Sequence, residues 1–307
     1  MNRNEFATTL KTKLEELNLI RSNEKFLVEC VDDKEVVKIS VVGDNEKEVS
    51  LVLTLENIQE SVDRHGWDEV VNTTGEALRR ARNKATGYMD ALDMLDEYEN
   101  IKNKLIIRPI HCGKEFDDKN KKNPCLYSKK GDIALVLYMI MSDEEERLDT
   151  IRVPMDYVNS WMTQLGLKEI DIFKNAMQNT VEKQSPMLYT NIFDMSSEKG
   201  MNILNNPETG FLEETSPLVT TSRKTNGAIA MFYPGVKEKI AKMMNDSFYV
   251  AFTSIHEAIV HKKGTMDPAD IKRNVTETNR IFGPNDTLTN EVFYFNKETN
   301  EFSVLKC

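Results

Sequence analysis

Residues 224–263, KTNGAIAMFYPGVKEKIAKMMNDSFYVAFTSIHEAIVHKK, constrain the fold more than any other stretch. Short apolar runs alternate with turn residues, which predicts strand, tight turn, helix, strand and strand. AIAMFY is the first strand. Tyr233-Pro234-Gly235-Val236 is a turn signal, because proline presets its own φ and glycine supplies the positive φ that a type II turn requires. VKEKIAKMMN is a short helix with Val236, Ile240 and Met243 or Met244 facing inward. SFYVAF and SIHEAIVHKK follow as paired strands. Asp267 as N-cap with Pro268 in the first turn starts a helix whose apolar face is Ile271, Val275 and Ile281 or Phe282. Gly283-Pro284 ends it, and EVFYFN and EFSVLK close the chain as a hairpin. The predicted class is α+β, mostly antiparallel sheet flanked by helices.

The same pattern extends upstream. Residues 1–103 predict a smaller N-terminal α/β module: a helix over 3–18 with Phe6, Leu10, Leu14 and Leu17 on one stripe, then strands at 25–31, 35–42 and 48–54. Gly43 and Asn45 suit a hairpin turn between the last two. Two or three helices fill 55–103, interrupted at Gly75 and Gly87. A second domain is expected over 104–307. KLIIRPI is a strand ended by Pro109, and 111–130 is a polar loop. IALVLYMIM at 133–141 is a strand buried on both faces. TIRVP is a short strand, and helices span 154–164 and 168–182, with Asn179-Thr180 as helix-end caps. PMLYTNIFDM is another strand, and 195–216 is a long surface excursion.

Charge and motifs exclude several functions. With 50 acidic against 40 basic residues, the net charge of −10 makes a poor general polyanion binder. One local exception exists: Lys102 to Lys130 holds nine basic and three acidic residues. Cys30, Cys112, Cys125 and Cys307 are widely spaced with no CxxC, which suits reduced thiols in the cytoplasm. The charged N-terminus is no signal peptide, and IALVLYMIM is too short to span a bilayer. Gly-rich phosphate-binding and dinucleotide-binding signatures are absent, so no cofactor is expected.

GAIAMFYPGVKEKIAKMM followed by SFYVAFTSIHEAIV resembles the hallmark segment of a family of uncharacterised bacterial proteins. These are common in anaerobic Gram-positive bacteria and are known only as a domain of unknown function. KLIIRPIHC with IALVLYMIM is similar to the family's paired strands, MDYVNSWMTQLGLKEIDIFKNAMQNT to its helix pair, and NRIFGPNDTLTNEVFYFN to its closing hairpin. The resemblance covers 104–307 well and the first hundred residues weakly. It departs in the basic loop after Ile110 and at 195–223. It implies a fold and brings no activity, substrate or cofactor.

Few residues here suggest chemistry. His256-Glu257-x-x-x-His261 approaches a zinc-protease motif, but its i+5 spacing puts the imidazoles about 140° apart on a helix and on opposite faces of a strand. No metal site is expected there. His111, Cys112 and Cys125 match no common zinc spacing. Ser254, His256, Glu257 and Tyr233 are the candidate catalytic set, although Ser254 and His256 on one strand face would stand roughly 7 Å apart. Arg108, His111, Lys121, Lys122 and Tyr127 are the binding candidates. In the segment 114–130, Phe116 and Tyr127 interleave with lysines, as at a nucleic-acid contact. The leading expectation is a non-enzymatic cytoplasmic binding or regulatory protein with a protein partner and no membrane association. The alternatives are a hydrolase using Ser254–Glu257, or a nucleic-acid contact through 114–130.

Overall fold

The computed structural model describes residues 3–31, 34–42, 48–143, 148–196, 199–206, 212 and 216–305. The hairpin turn at Gly43 and Asn45, residues 197–198, 207–211 and 213–215 of the 195–216 excursion, and Cys307 lie outside these residues. The chain divides into two units, Met1–Asp96 and Glu97–Cys307.

In unit 1, α1 (Arg3–Glu16) precedes an antiparallel meander of β1 (Lys25–Val31), β2 (Lys34–Val42) and β3 (Glu48–Thr54), followed by α2 (Leu55–His65) and α3 (Trp67–Met94). The three helices cover one sheet face. Phe6, Leu10 and Leu14 pack there with Val37, Ile39, Ile58, Val71 and Leu78. The first helix stops at Glu16, so Leu17 leaves the expected stripe and is 58% exposed. The edge strand β1 leaves Leu27, Val28 and Val31 exposed. Gly75 and Gly87 do not interrupt α3, which runs through both. At Gly75 a Cβ would come within 2.9 Å of the Leu19 side chain, so this glycine makes room for packing.

Unit 2 runs α4 (Tyr98–Ile101), β4 (Leu105–His111), α5 (Lys114–Lys122), β5 (Tyr127–Lys130), β6 (Ile133–Asp143), β7 (Leu148–Arg152), α6 (Met155–Leu165), α7 (Glu169–Lys183), β8 (Pro186–Tyr189), α8 (Ile192–Ser196), β9 (Met201–Asn202), β10 (Leu218–Thr221), α9 (Val236–Met244), β11 (Phe248–Ala251), β12 (Ala258–Lys262), α10 (Pro268–Phe282), β13 (Val292–Asn296) and β14 (Glu301–Val304). Two antiparallel sheets result, and the class is α+β. The larger has the order β14-β13-β11-β12-β10-β8-β9. In the smaller, β6 is central: β4 pairs along one side, and β5 and then β7 pair along the other. Ile133 to Leu137 of β6 are all buried, as expected of a central strand.

Several local expectations change. Pro109 does not end β4, which continues to His111. Because β4 is an edge strand, the missing proline N–H costs no ladder bond. Asn179 and Thr180 do more than cap their helix: Asn179 Nδ2 donates to the Leu105 carbonyl, and Thr180 Oγ1 accepts from Ile107 N–H at 2.8 Å, pinning that edge. The polar loop of 111–130 contains α5, whose Phe116 is buried against Ala134 and Val136. AIAMFY is not a strand. Residues Gly227–Phe232 form a 3-10 helix, and the strand beside β12 is Leu218–Thr221. The Pro-Gly turn is as expected, with Gly235 at φ 81°, ψ −13° and Val236 N–H reaching Tyr233 O at 3.4 Å. Val236, Ile240, Met243 and Met244 are buried. Asp267 caps α10 by accepting from Ala269 N–H at 2.8 Å, and Ile271 and Val275 face the core. Ile281 is 84% exposed and Phe282 is also exposed, so neither belongs to that face. Among the described residues no helix is long and apolar enough to cross a membrane.

Tyr233 ends the 3-10 helix fully buried, and its hydroxyl donates to the Gln184 carbonyl at 3.1 Å. Tyr233→Phe leaves that carbonyl without its donor and is expected to cost about 1–3 kcal/mol. A lower urea midpoint at unchanged slope would show it.

Candidate functional site

The candidate catalytic residues do not assemble. Ser254, Ile255 and His256 occupy a bend between β11 and β12 rather than a strand. The Ser254 hydroxyl accepts from the backbone N–H of His256 at 3.0 Å and does not bond its ring. Nδ1 of His256 accepts from the backbone N–H of Asn226 at 3.1 Å. A backbone N–H can only donate, so the neutral ring carries its proton on Nε2, which faces Asp286 at 3.7 Å. Nδ1 is occupied, and neither nitrogen bonds the Ser254 hydroxyl. Glu257 accepts from Thr253 Oγ1 at 3.3 Å. Burial pushes the Tyr233 phenol far above its usual range.

His261 lies apart from His256, buried on β12 with Nδ1 3.0 Å from Ser216 Oγ. Burial holds its pKa below the ordinary 6.5. Protonation therefore favours the unfolded chain. The full contribution is present above the unfolded value and is lost as pH falls through the window down to the folded value. Stability is expected to fall more steeply with decreasing pH below about 7 in the parent than in His261→Gln, measured by urea titration.

Cys112 and Cys125 sit in the apolar cluster of Phe116, Ala134 and Val136. Burial pushes the Cys125 thiol up. His111 instead turns its Nδ1 to the Leu288 carbonyl at 3.0 Å, so that nitrogen holds the proton. Among the described residues no group of three His, Cys, Asp or Glu is placed to hold a metal ion. Lys121 lies on α5, 3.5 Å from Asp118, and Lys122 is the last residue of that helix. Tyr127 opens β5, with its ring edge-on to Phe116 at 5.1 Å.

One candidate, Arg108, heads a different constellation. It borders a cleft of about 690 Å³ on one face of the smaller sheet. Tyr138 and Arg152 border it from β6 and β7. His111, Lys114 and Lys119 border it from the end of β4 and from α5, and Asn226, Ile255 and Thr287 from the opposite side. Arg108 is largely buried. Its Nη1 donates to Thr150 Oγ1 at 2.5 Å and its Nη2 to Asn226 Oδ1 at 2.9 Å, while its guanidinium lies 5.1 Å from the Tyr138 ring centre. Nε is buried without an acceptor. Among the described residues no carboxylate offsets the charge, and burial lowers its pKa. A charge withdrawn this far from water with only neutral partners is costly. Burial pushes the Tyr138 phenol up, while Arg108, Arg152 and Lys119 pull against that.

Asn226 joins these parts. It adopts the left-handed conformation at φ 53°, with its side chain on Arg108 and its N–H on His256. Tyr138, Arg152 and Asn226 escaped the sequence reading. The available signal was a phenol inside an aliphatic run and an arginine at an alternating position of TIRVP. A second cleft, of about 440 Å³, lies in unit 1 against β3, α2 and α3, where His65 and Glu69 are its only ionisable lining residues among those described.

A protein-family model described as a family of unknown function (DUF5688) matches residues 3–297. The match takes in the first hundred residues as well as the region of stronger resemblance. No curated protein matches, and no solved structure does.

Proposed function

The chain belongs to the DUF5688 family, whose function is unknown, and we propose that it is a binding or regulatory protein whose unit 2 holds a small anionic ligand in the Arg108 cleft. The observation that carries this is a largely buried guanidinium held by two neutral acceptors, with no carboxylate beside it among the described residues. Lys114, Lys119 and Arg152 around the same cleft add positive charge in a chain of net charge −10. The reading places the protein in the cytoplasm of Gram-positive anaerobes, where ligand occupancy would be relayed to a protein partner. It treats 1–103 and 104–307 as separate domains. A non-enzymatic role fits the engagement of His256 Nδ1 by the backbone N–H of Asn226 and of the Ser254 hydroxyl by the backbone. A nucleic-acid contact through 114–130 is disfavoured by the pairing of Lys119 with Glu115 and Lys121 with Asp118 along α5.

The test is thermal unfolding of the full chain against a panel of small anions at constant ionic strength. At least one anion is expected to raise the Tm of the parent and not that of Arg108→Met. Absence of any Arg108-dependent rise across phosphates, sulfate and carboxylates would remove the reading.

A further inference from the structure

Resting on the anion reading and narrowing it, we propose that the cleft is built for a small-molecule phosphate monoester, with its phosphoryl group at the Tyr138 hydroxyl between Arg108 and Arg152. Tyr138 lies directly across the ladder from Arg152, and directly opposed residues bring their Cβ atoms to about 5 Å. The Arg108 guanidinium covers the same ring at 5.1 Å. The phenol thus has the Arg108 guanidinium over its ring and Arg152 beside it on the neighbouring strand, where Arg152 Nη2 donates to the Asn123 carbonyl at 3.1 Å; a phenol supplies an O–H donor that a bound oxyanion can accept.

The charge count sets the class. Arg108, Arg152, Lys114 and Lys119 border the cleft, and Glu115 is the one acid among the described lining residues. Glu115 is already 2.6 Å from Lys119. Among the arginine, lysine and acidic lining residues described, four cations against one acid leave an excess of three. A monocarboxylate offsets one of these charges. A phosphate monoester carries about −1.5 to −2 at neutral pH and presents three acceptor oxygens. Arginine forks match such a group in two-point fashion. The start of α5 adds to the field: its N-cap, Gly113, provides no side-chain cap, and Gly113, Lys114 and Glu115 all border the cleft. A Cβ at Gly113 would lie 2.7 Å from His111 Nε2, so a side chain there would have to displace the His111 ring.

Ile110, Phe116, Ile255 and Pro284 add apolar walls to the cleft, beside the polar Asn226, Asn285 and Thr287. A bare phosphate ion would leave these walls uncovered, whereas the organic body of an ester would bury them. A volume of about 690 Å³ accommodates a small organic molecule.

The test is calorimetric titration of the full chain with phenyl phosphate, inorganic phosphate and benzoate at constant ionic strength. Phenyl phosphate is expected to bind more tightly than inorganic phosphate and at least about tenfold more tightly than benzoate, a difference of about 1.4 kcal/mol. Arg152→Gln should weaken phenyl phosphate by about tenfold or more, Arg152→Lys should recover part of that loss, and Tyr138→Phe should weaken it several-fold. Near-ultraviolet circular dichroism establishes that each variant is folded. If benzoate binds as tightly as phenyl phosphate, and both depend on Arg108, the phosphate assignment is overturned while the anion site stands. If none of the probes binds, both readings fall. Phenyl phosphate binding that ignores Arg152→Gln and Arg152→Lys alike overturns the placement of the phosphoryl group.

Discussion

Gly227→Ala is expected to unfold much of unit 2. A Cβ at this position would lie 2.0 Å from Thr220 Oγ1, 2.4 Å from the His256 carbonyl oxygen and 2.7 Å from the Thr221 nitrogen. Two of these three atoms are backbone, belonging to β10 and to the bend before β12, so no rotamer change relieves the contact. Overpacking by a single methyl group in a well-packed interior typically costs about 1–3 kcal/mol, and more where backbone must move. Here it would push the 3-10 helix from the strand against which it packs, displacing Thr220 Oγ1 from the His256 carbonyl, now 2.7 Å away. A loss exceeding about 3 kcal/mol is expected. The Gly227→Ala/Thr220→Ala double variant should recover little, because the two backbone atoms remain. Urea unfolding followed by tryptophan fluorescence checks both, since Trp161 is buried in unit 2. A Gly227→Ala variant within about 0.5 kcal/mol of the parent would show that this approach is not as close as described.

Arg108→Met should do the opposite to stability while removing the proposed anion binding. Removing a buried arginine from its partners is normally destabilising, by about 3–5 kcal/mol where an ion pair is broken. Here the partners are the Thr150 hydroxyl and the Asn226 amide, no carboxylate is left behind, and Nε has no acceptor to lose. An apolar side chain of similar length escapes the desolvation of the charge. The unliganded variant is therefore expected to equal the parent or exceed it by up to about 3 kcal/mol. A ligand at a hundred times its Kd would stabilise the parent by about 2.7 kcal/mol and leave the variant unchanged. Parallel unfolding curves with and without ligand separate the two effects. A large loss of stability without ligand would make Arg108 a structural residue.

Much of the architecture was legible because the pattern and the punctuation agreed. The strands of the N-terminal meander, the central strand at 133–141, the Pro-Gly turn before α9, the Asp-Pro start of α10 and the closing hairpin each carried two independent local signals. The failures have identifiable causes. AIAMFY is a short apolar run, and such a run is equally compatible with a strand and with a buried helical turn. What decided between them was the approach of Gly227 to backbone remote in sequence. Lys114–Lys122 has a single apolar anchor, Phe116, too little for a periodicity to register. Gly75 weakened the expectation of a long α3 because its packing partner, Leu19, lies in another segment.

For the site, types of residue were visible and their relations were not. Arg108 was a candidate because it is a cation in a basic stretch. Its distinction is that its acceptors are neutral, with no carboxylate against it among the described residues, which emerges only when β6, β7 and the segment at Asn226 are brought around it. Ser254 and His256 failed as a pair for a related reason: the chain bends where a strand was expected, and the serine hydroxyl is used by the backbone.

The outer edge of the unit 1 sheet has a practical consequence. β1 pairs only with β2 among the described strands, so its other side offers unpaired N–H and C=O groups beside exposed Leu27, Val28 and Val31. Such an edge is a template for strand addition between molecules, and charge is the usual protection. In β1 that protection comes down to Lys25 and Glu29. Crowded storage, or salt high enough to screen those two charges, therefore threatens aggregation at this strand, and the shelf life of a concentrated sample is decided far from the cleft that would give the protein its use.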